Sequence, residues 1–131
     1  MNRLPVLFVL LVITTSCQKK NDIDTIQPAL FKNTWIESYE ENPSHDIRIY
    51  RPDDYKEFPP ARFRQVFDFK THNDCHYLVL APNDAHYMTE GVWTYENSNR
   101  VLTILNPDSE VAHRFEVIEL KEDLLKLKRW E

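Results

Sequence analysis

Glycine is almost absent from this chain: Gly91 is the only one in 131 residues. That excludes the Gly-rich loops that cradle phosphates in nucleotide-binding folds. Cysteine is nearly as scarce. Cys17 and Cys75 stand far apart, with no CxxC pair, so no zinc pattern can form around them. Positive charge is also short. The chain has 16 Lys and Arg against 21 Asp and Glu and no basic stripe, which argues against a nucleic-acid partner. No apolar run is long enough to cross a bilayer as a helix, which takes about 20 residues. No long segment holds the helical period, and none of the serines sits in a Gly-x-Ser-x-Gly turn. Cys75 and His76 are sequence neighbours, but on a strand they face opposite ways, which argues against a thiol–imidazole pair. His72, Asp74 and His76 alternate as metal ligands on a strand would, yet Asn73-Asp74 reads as a turn. No catalytic residue, metal or cofactor is expected.

What is present at the N-terminus sets the address. Arg3 is a short positive region, Leu4 to Ile13 an apolar run broken only by Pro5, and Thr14-Thr15-Ser16 are small residues leading into Cys17. Such a run suits the apolar region of a signal peptide. With the cysteine, the segment resembles the lipobox of bacterial lipoproteins, although Thr14 stands where that pattern usually has Leu. The resemblance implies cleavage after residue 16 and lipid attachment at Cys17, with residues 17–28 as a polar tether. Gln18 after the cysteine, rather than Asp, favours the outer membrane, the acyl chains being the membrane contact. Losing the leader removes only Arg3 among the basic residues, so the chain stays acidic and gives anionic headgroups nothing to hold. Cys75 is then a lone thiol in an oxidising compartment, where burial protects it best.

Residues 29–131 have room for one domain. Asp46 to Tyr50 alternates strictly, as a half-buried strand does. Further strand-like runs begin at Trp35, Arg62, Cys75, His86, Arg100, Val111 and Leu124. Turn signals at Thr71 to Asp74, Asn97 to Asn99, Asn106 to Asp108 and Lys121 to Asp123 separate the later ones. About eight strands at this spacing predict an all-β domain, a sandwich or a barrel, and short turns between successive strands favour an up-and-down antiparallel barrel. Alternation places Phe67 with Phe69, Trp93 with Tyr95, Leu102 with Ile104, Phe115 with Val117 and Leu125 with Leu127 on shared, inward faces.

Asn33-Thr34-Trp35, Gly91-Val92-Trp93-Thr94-Tyr95, and the ending Phe115 to Leu120 with Leu124 to Leu127 together resemble the small lipocalin-like, or calycin-like, β-barrels of bacterial lipoproteins. The resemblance implies that Asn33 replaces a left-handed glycine and that Arg129, or Lys128, packs across Trp35. An eight-stranded interior is wide enough for packed side chains or for one small ligand. Two functions follow from different classes. One is a carrier of a small apolar molecule lined by Phe67, Trp93, Tyr95 and Phe115. The other is a filled module that meets an envelope protein through the Arg51 to Pro60 loop, with Tyr50, Tyr55 and Phe58 on its surface.

Overall fold

The computed structural model describes Leu30 and residues 32–131. The expected leader, the expected lipid-attachment site at Cys17 and the expected tether lie outside the described residues. Eight strands follow in order: β1 (Thr34–Glu37), β2 (Ile47–Pro52), β3 (Val66–Phe69), β4 (Asp74–Leu80), β5 (His86–Glu96), β6 (Val101–Leu105), β7 (Val111–Lys121) and β8 (Leu124–Arg129). They close into a single antiparallel up-and-down barrel. From β3 to β8 each strand pairs with the next in the chain. The β1–β2 pair fills the remaining gap, with β1 against β3 and β2 against β8.

In this order β2 and β3 are not neighbours, so residues 53–65 run back along β1. Backbone hydrogen bonds at its two ends, Asp53 N–H to the Thr34 carbonyl and Glu37 N–H to the Gln65 carbonyl, tie that return to β1, and ion pairs clasp it between them. A 3-10 turn at Tyr39–Glu41 follows β1 and presents two acids. Glu40 meets Lys56 and Arg64, each at 2.8 Å, and Glu41 meets Arg51 at 2.8 Å. Arg64 also donates to the carbonyls of Pro59 and Glu37 and lies over the Tyr39 ring. Burial alone would raise the Glu40 carboxyl, but hydrogen bonds from Lys56 and Arg64 outweigh it and hold the group at about 2. Residues 53–60 form the expected loop. Arg51 and Pro52, however, belong to β2, and Tyr50 is buried inside the barrel rather than on the loop surface. Tyr55 stays exposed under the Arg51 guanidinium, and Phe58 lies beneath Lys56 and Arg64.

Inward faces follow the alternation of the sequence. Trp35, Phe67, Phe69, Cys75, Trp93, Leu102, Ile104, Phe115, Val117, Leu125 and Leu127 form one buried cluster, with Tyr95 packed against it. Each such side chain contributes about 1.5–3 kcal/mol by leaving water. Cys75 is free and buried, and desolvation raises its thiol to about 11, which keeps it protonated and inert. Leu30 is fully buried beside Trp35, whose indole N–H donates to the Leu30 carbonyl at 3.1 Å.

Near-absence of glycine has a visible consequence. The left-handed positions of the tight turns are taken by His72, Asn73, Asp84, Arg100 and Ser109, residues that carry a Cβ there at some cost. In the Asn106 turn the side chain repairs this, its Oδ1 accepting from the backbone N–H groups of Asp108 and Glu110.

Two expectations are corrected. Asn33 is not left-handed. Its side chain instead donates to the Glu122 carbonyl at 2.8 Å, tying the start of β1 to the β7–β8 turn. Nor does Arg129 pack across Trp35. Trp35 pairs with Pro52 and Phe67, whereas Arg129 ends β8 and its N–H donates to the Asp46 carbonyl, before β2 begins. The register therefore puts the two residues toward opposite ends of the barrel. Arg114, by contrast, does lie over an indole, that of Trp130, at 5.8 Å.

Candidate functional site

The barrel is filled at one end and hollow at the other. The filled end carries the short β3–β4, β5–β6 and β7–β8 turns. There the Trp93 indole N–H donates to the Lys70 carbonyl and Asn73 donates to the Trp93 carbonyl, locking the ring beneath the β3–β4 turn. Phe69 stands edge-on to Trp93, and Phe67 stacks on Phe69.

At the other end, where β1 and β8 finish and β2 and β7 begin, the mouth holds a hollow of about 470 Å³. Its floor is Tyr50, His113 and Phe115, and Phe63 and Trp130 stand at its sides. A smaller hollow of about 290 Å³ lies beyond His113 and Gln65, toward Tyr77 and Val79. Pockets that hold small molecules span about 300–1,000 Å³, so the mouth is of useful size.

Strand alternation explains what lines it. The inward positions Trp35, Tyr50, Phe67, Phe115 and Leu127 are apolar or aromatic. One step further toward the mouth, the same faces carry Glu37, Arg48, Gln65, His113 and Arg129. A ring of polar groups thus sits directly on the apolar fill. Arg48 pairs with Glu37 at 3.2 Å, and the Gln65 amide donates to the Leu78 carbonyl at 2.8 Å. A bulge in the β6–β7 ladder pairs Ile104 with His113 and Leu105 with Val111, leaving Ala112 unpaired. Bulges re-aim side chains, and this one lets both Ala112 and His113 contribute to the mouth.

His113 is the most perturbed member. Phe67 and Tyr77 stand edge-on to its ring at 5.1 and 5.4 Å, and Phe115 stacks nearly parallel to it at 5.9 Å. Burial first, and then the positive charge of Arg129, lower it to about 4, so it is neutral near pH 7. Burial also drives the Tyr50 hydroxyl upward, the Glu37 carboxylate adding to the shift, so that group stays a phenol. Neutral imidazole and phenol offer hydrogen bonds without charge.

The burial of His113 has a measurable cost. The unfolded chain takes up the imidazole proton around its ordinary value of 6.5, the folded one only around 4. Stability is therefore complete above pH 6.5 and falls as pH drops toward 4, by about 3 kcal/mol at the limit. Urea unfolding of the native protein and of His113→Phe across pH 4–7 should give a difference that grows with acidity. Parallel curves would mean that the imidazole is not desolvated.

Of the residues expected to line a ligand, Phe115 borders the hollow and Phe67 touches His113 and Phe115 just beneath it. Trp93 belongs to the filled end, and neither it nor Tyr95 borders the mouth. Sequence reading passed over His113, Arg48, Gln65 and Glu37 as mouth residues, and gave Arg129 a different place. The signal was present. Extending each inward pair by two residues, from Phe67 to Gln65, Phe115 to His113 and Leu127 to Arg129, reaches the ring.

Another hollow, of about 580 Å³, lies between the 106–109 turn and the β4–β5 hairpin, lined by Asp74, His76, Glu90 and Val92 among others. It has no aromatic wall, and among the described residues no group of His, Cys, Asp or Glu is placed to hold a metal ion. His72, which alternates with Asp74 and His76 in the sequence, lies in the left-handed β3–β4 turn. Neither a family model, nor a curated protein, nor a solved structure matches the chain.

Proposed function

We propose that this protein is a lipid-anchored lipoprotein of the outer membrane whose barrel mouth holds a small molecule with a largely apolar body. The anchor rests on the leader and Cys17, and the resemblance to lipocalin-like barrels of bacterial lipoproteins agrees with it. The observation that carries the binding role is the hollow of about 470 Å³ floored by Tyr50, His113 and Phe115 in a barrel whose other end is filled. The reading as a protein-docking module has less support, because Arg51, Lys56 and Arg64 and the rings of Tyr55 and Phe58 are engaged with one another and with Glu40 and Glu41.

Native mass spectrometry of the whole protein, released gently from its own envelope, tests both halves. The expected spectrum shows a non-covalent adduct of defined mass that is lost on denaturation. The denatured chain should begin at Cys17 and carry acyl mass there. A bare chain in repeated native preparations would remove the carrier role. A denatured chain that retains residues 1–16 would remove the anchor.

A further inference from the structure

We propose that the mouth recognises a carboxylate, so that the ligand is an amphipathic acid with its charged head on Arg129 and its apolar body over Tyr50, His113 and Phe115. This rests on the mouth being the binding site, and it goes further by assigning the chemical class of the occupant. Three cations border the hollow, Arg48, Arg114 and Arg129, against one acid, Glu37. The excess is local, because the chain as a whole carries a net charge of −5. The roles of the cations differ. Arg48 is neutralised by Glu37 at 3.2 Å, and Arg114 lies over the Trp130 ring.

Arg129 has no ion-pair partner among the described residues, although alternation aims it at the same face as Leu125 and Leu127. Arg129 is exposed at the rim of the hollow, so its guanidinium is open to a ligand entering the mouth. Its planar fork suits a carboxylate, which it can bind through two parallel hydrogen bonds. His113 supplies the second observation. Its ring is packed among three others, yet none of its nitrogens has a hydrogen-bond partner among the described residues, and it borders the hollow. A neutral imidazole beside the guanidinium completes a head-group site that needs no proton exchange. Aromatic rings below it receive the apolar remainder.

The test uses calorimetric titration of the intact lipidated protein in lipid nanodiscs, with phenylbutyrate and its uncharged counterpart phenylbutanol as probes. Empty nanodiscs provide the blank. The acid is expected to bind at least tenfold more tightly than the alcohol. Arg129→Gln should abolish that preference while leaving the alcohol unchanged, and Arg62→Gln, at the remote exposed pair with Asp84, should leave both unchanged. Added salt should weaken the acid alone. Equal binding of acid and alcohol would overturn the carboxylate assignment while the mouth remained the site. A preference that survives Arg129→Gln would also overturn it. Binding of neither probe would remove both the assignment and the site.

Discussion

Phe67→Ala is expected to lower stability by about 3–5 kcal/mol, a large share of the roughly 5–15 kcal/mol available to a domain of this size. Phe67 is fully buried, and its ring meets those of Tyr50, Phe69, His113 and Phe115 at centroid distances of 5.3, 5.8, 5.1 and 6.0 Å. It is therefore the partition between the packed half of the barrel and the mouth. Truncation removes apolar burial and leaves a gap that stiff neighbouring rings cannot close, which is the costly kind of cavity. Because the gap adjoins the mouth, the hollow should deepen as stability falls. Urea denaturation checks the first effect, with Phe67→Leu as the milder comparison. A loss below about 1 kcal/mol would show that the rings collapse onto the vacancy, and that Phe67 does not set the floor of the site.

Legibility in the sequence followed the physics of each feature. Period-two alternation is a local property, so the strands and the inward pairs were readable from Phe67 with Phe69, Phe115 with Val117 and Leu125 with Leu127. The closing turns were readable for the same reason, through Asn106-Pro107 and Asn97-Ser98-Asn99. Strand order around β1 was not readable. The segment that carries the chain from β2 to β3 is clasped beside β1 by ion pairs of Glu40 and Glu41 with Arg51, Lys56 and Arg64, and sequence spacing says nothing of which acid finds which base. A Pro-rich, charged stretch reads as a loop whether it floats or is clasped.

The site was legible only in part. Large aromatics announce a core, but a core and a ligand cavity use the same residues, and Trp93 falls in the former while Phe115 borders the latter. What separates the two ends is the polar ring, and polar residues at inward positions are masked by the ordinary polarity of strand ends. Arg129 shows how the error arises. A family pattern suggested an indole partner, whereas the register of β8 against β2 carries the guanidinium to the mouth. The bulge at Ala112 is a backbone event with no residue signature, so the inward turn of both Ala112 and His113 could not be foreseen.

The chain's one glycine should tolerate no side chain. Gly91 lies inside β5, opposite Cys75, and its backbone is not left-handed, so it is retained for space rather than for conformational freedom. A Cβ placed there would meet the Leu105 carbonyl oxygen at 2.7 Å, Tyr77 Cε1 at 2.9 Å and Cys75 Sγ at 3.2 Å. The tyrosine ring and the thiol can shift a little. The carbonyl cannot, because it belongs to the backbone of β6, which pairs with β5 just there. Gly91→Ala should therefore force the β5–β6 ladder apart and cost about 3 kcal/mol, at the upper end of what overpacking usually does. Gly91→Val should prevent folding. The double variant Gly91→Ala with Cys75→Ala separates the causes, since it relieves the thiol contact and leaves the carbonyl contact in place. Thermal unfolding of the double variant should show no recovery. Recovery to the level of Cys75→Ala alone would mean that the thiol sets the limit, and that the barrel wall at β5–β6 has slack which the close approach of Leu105 denies.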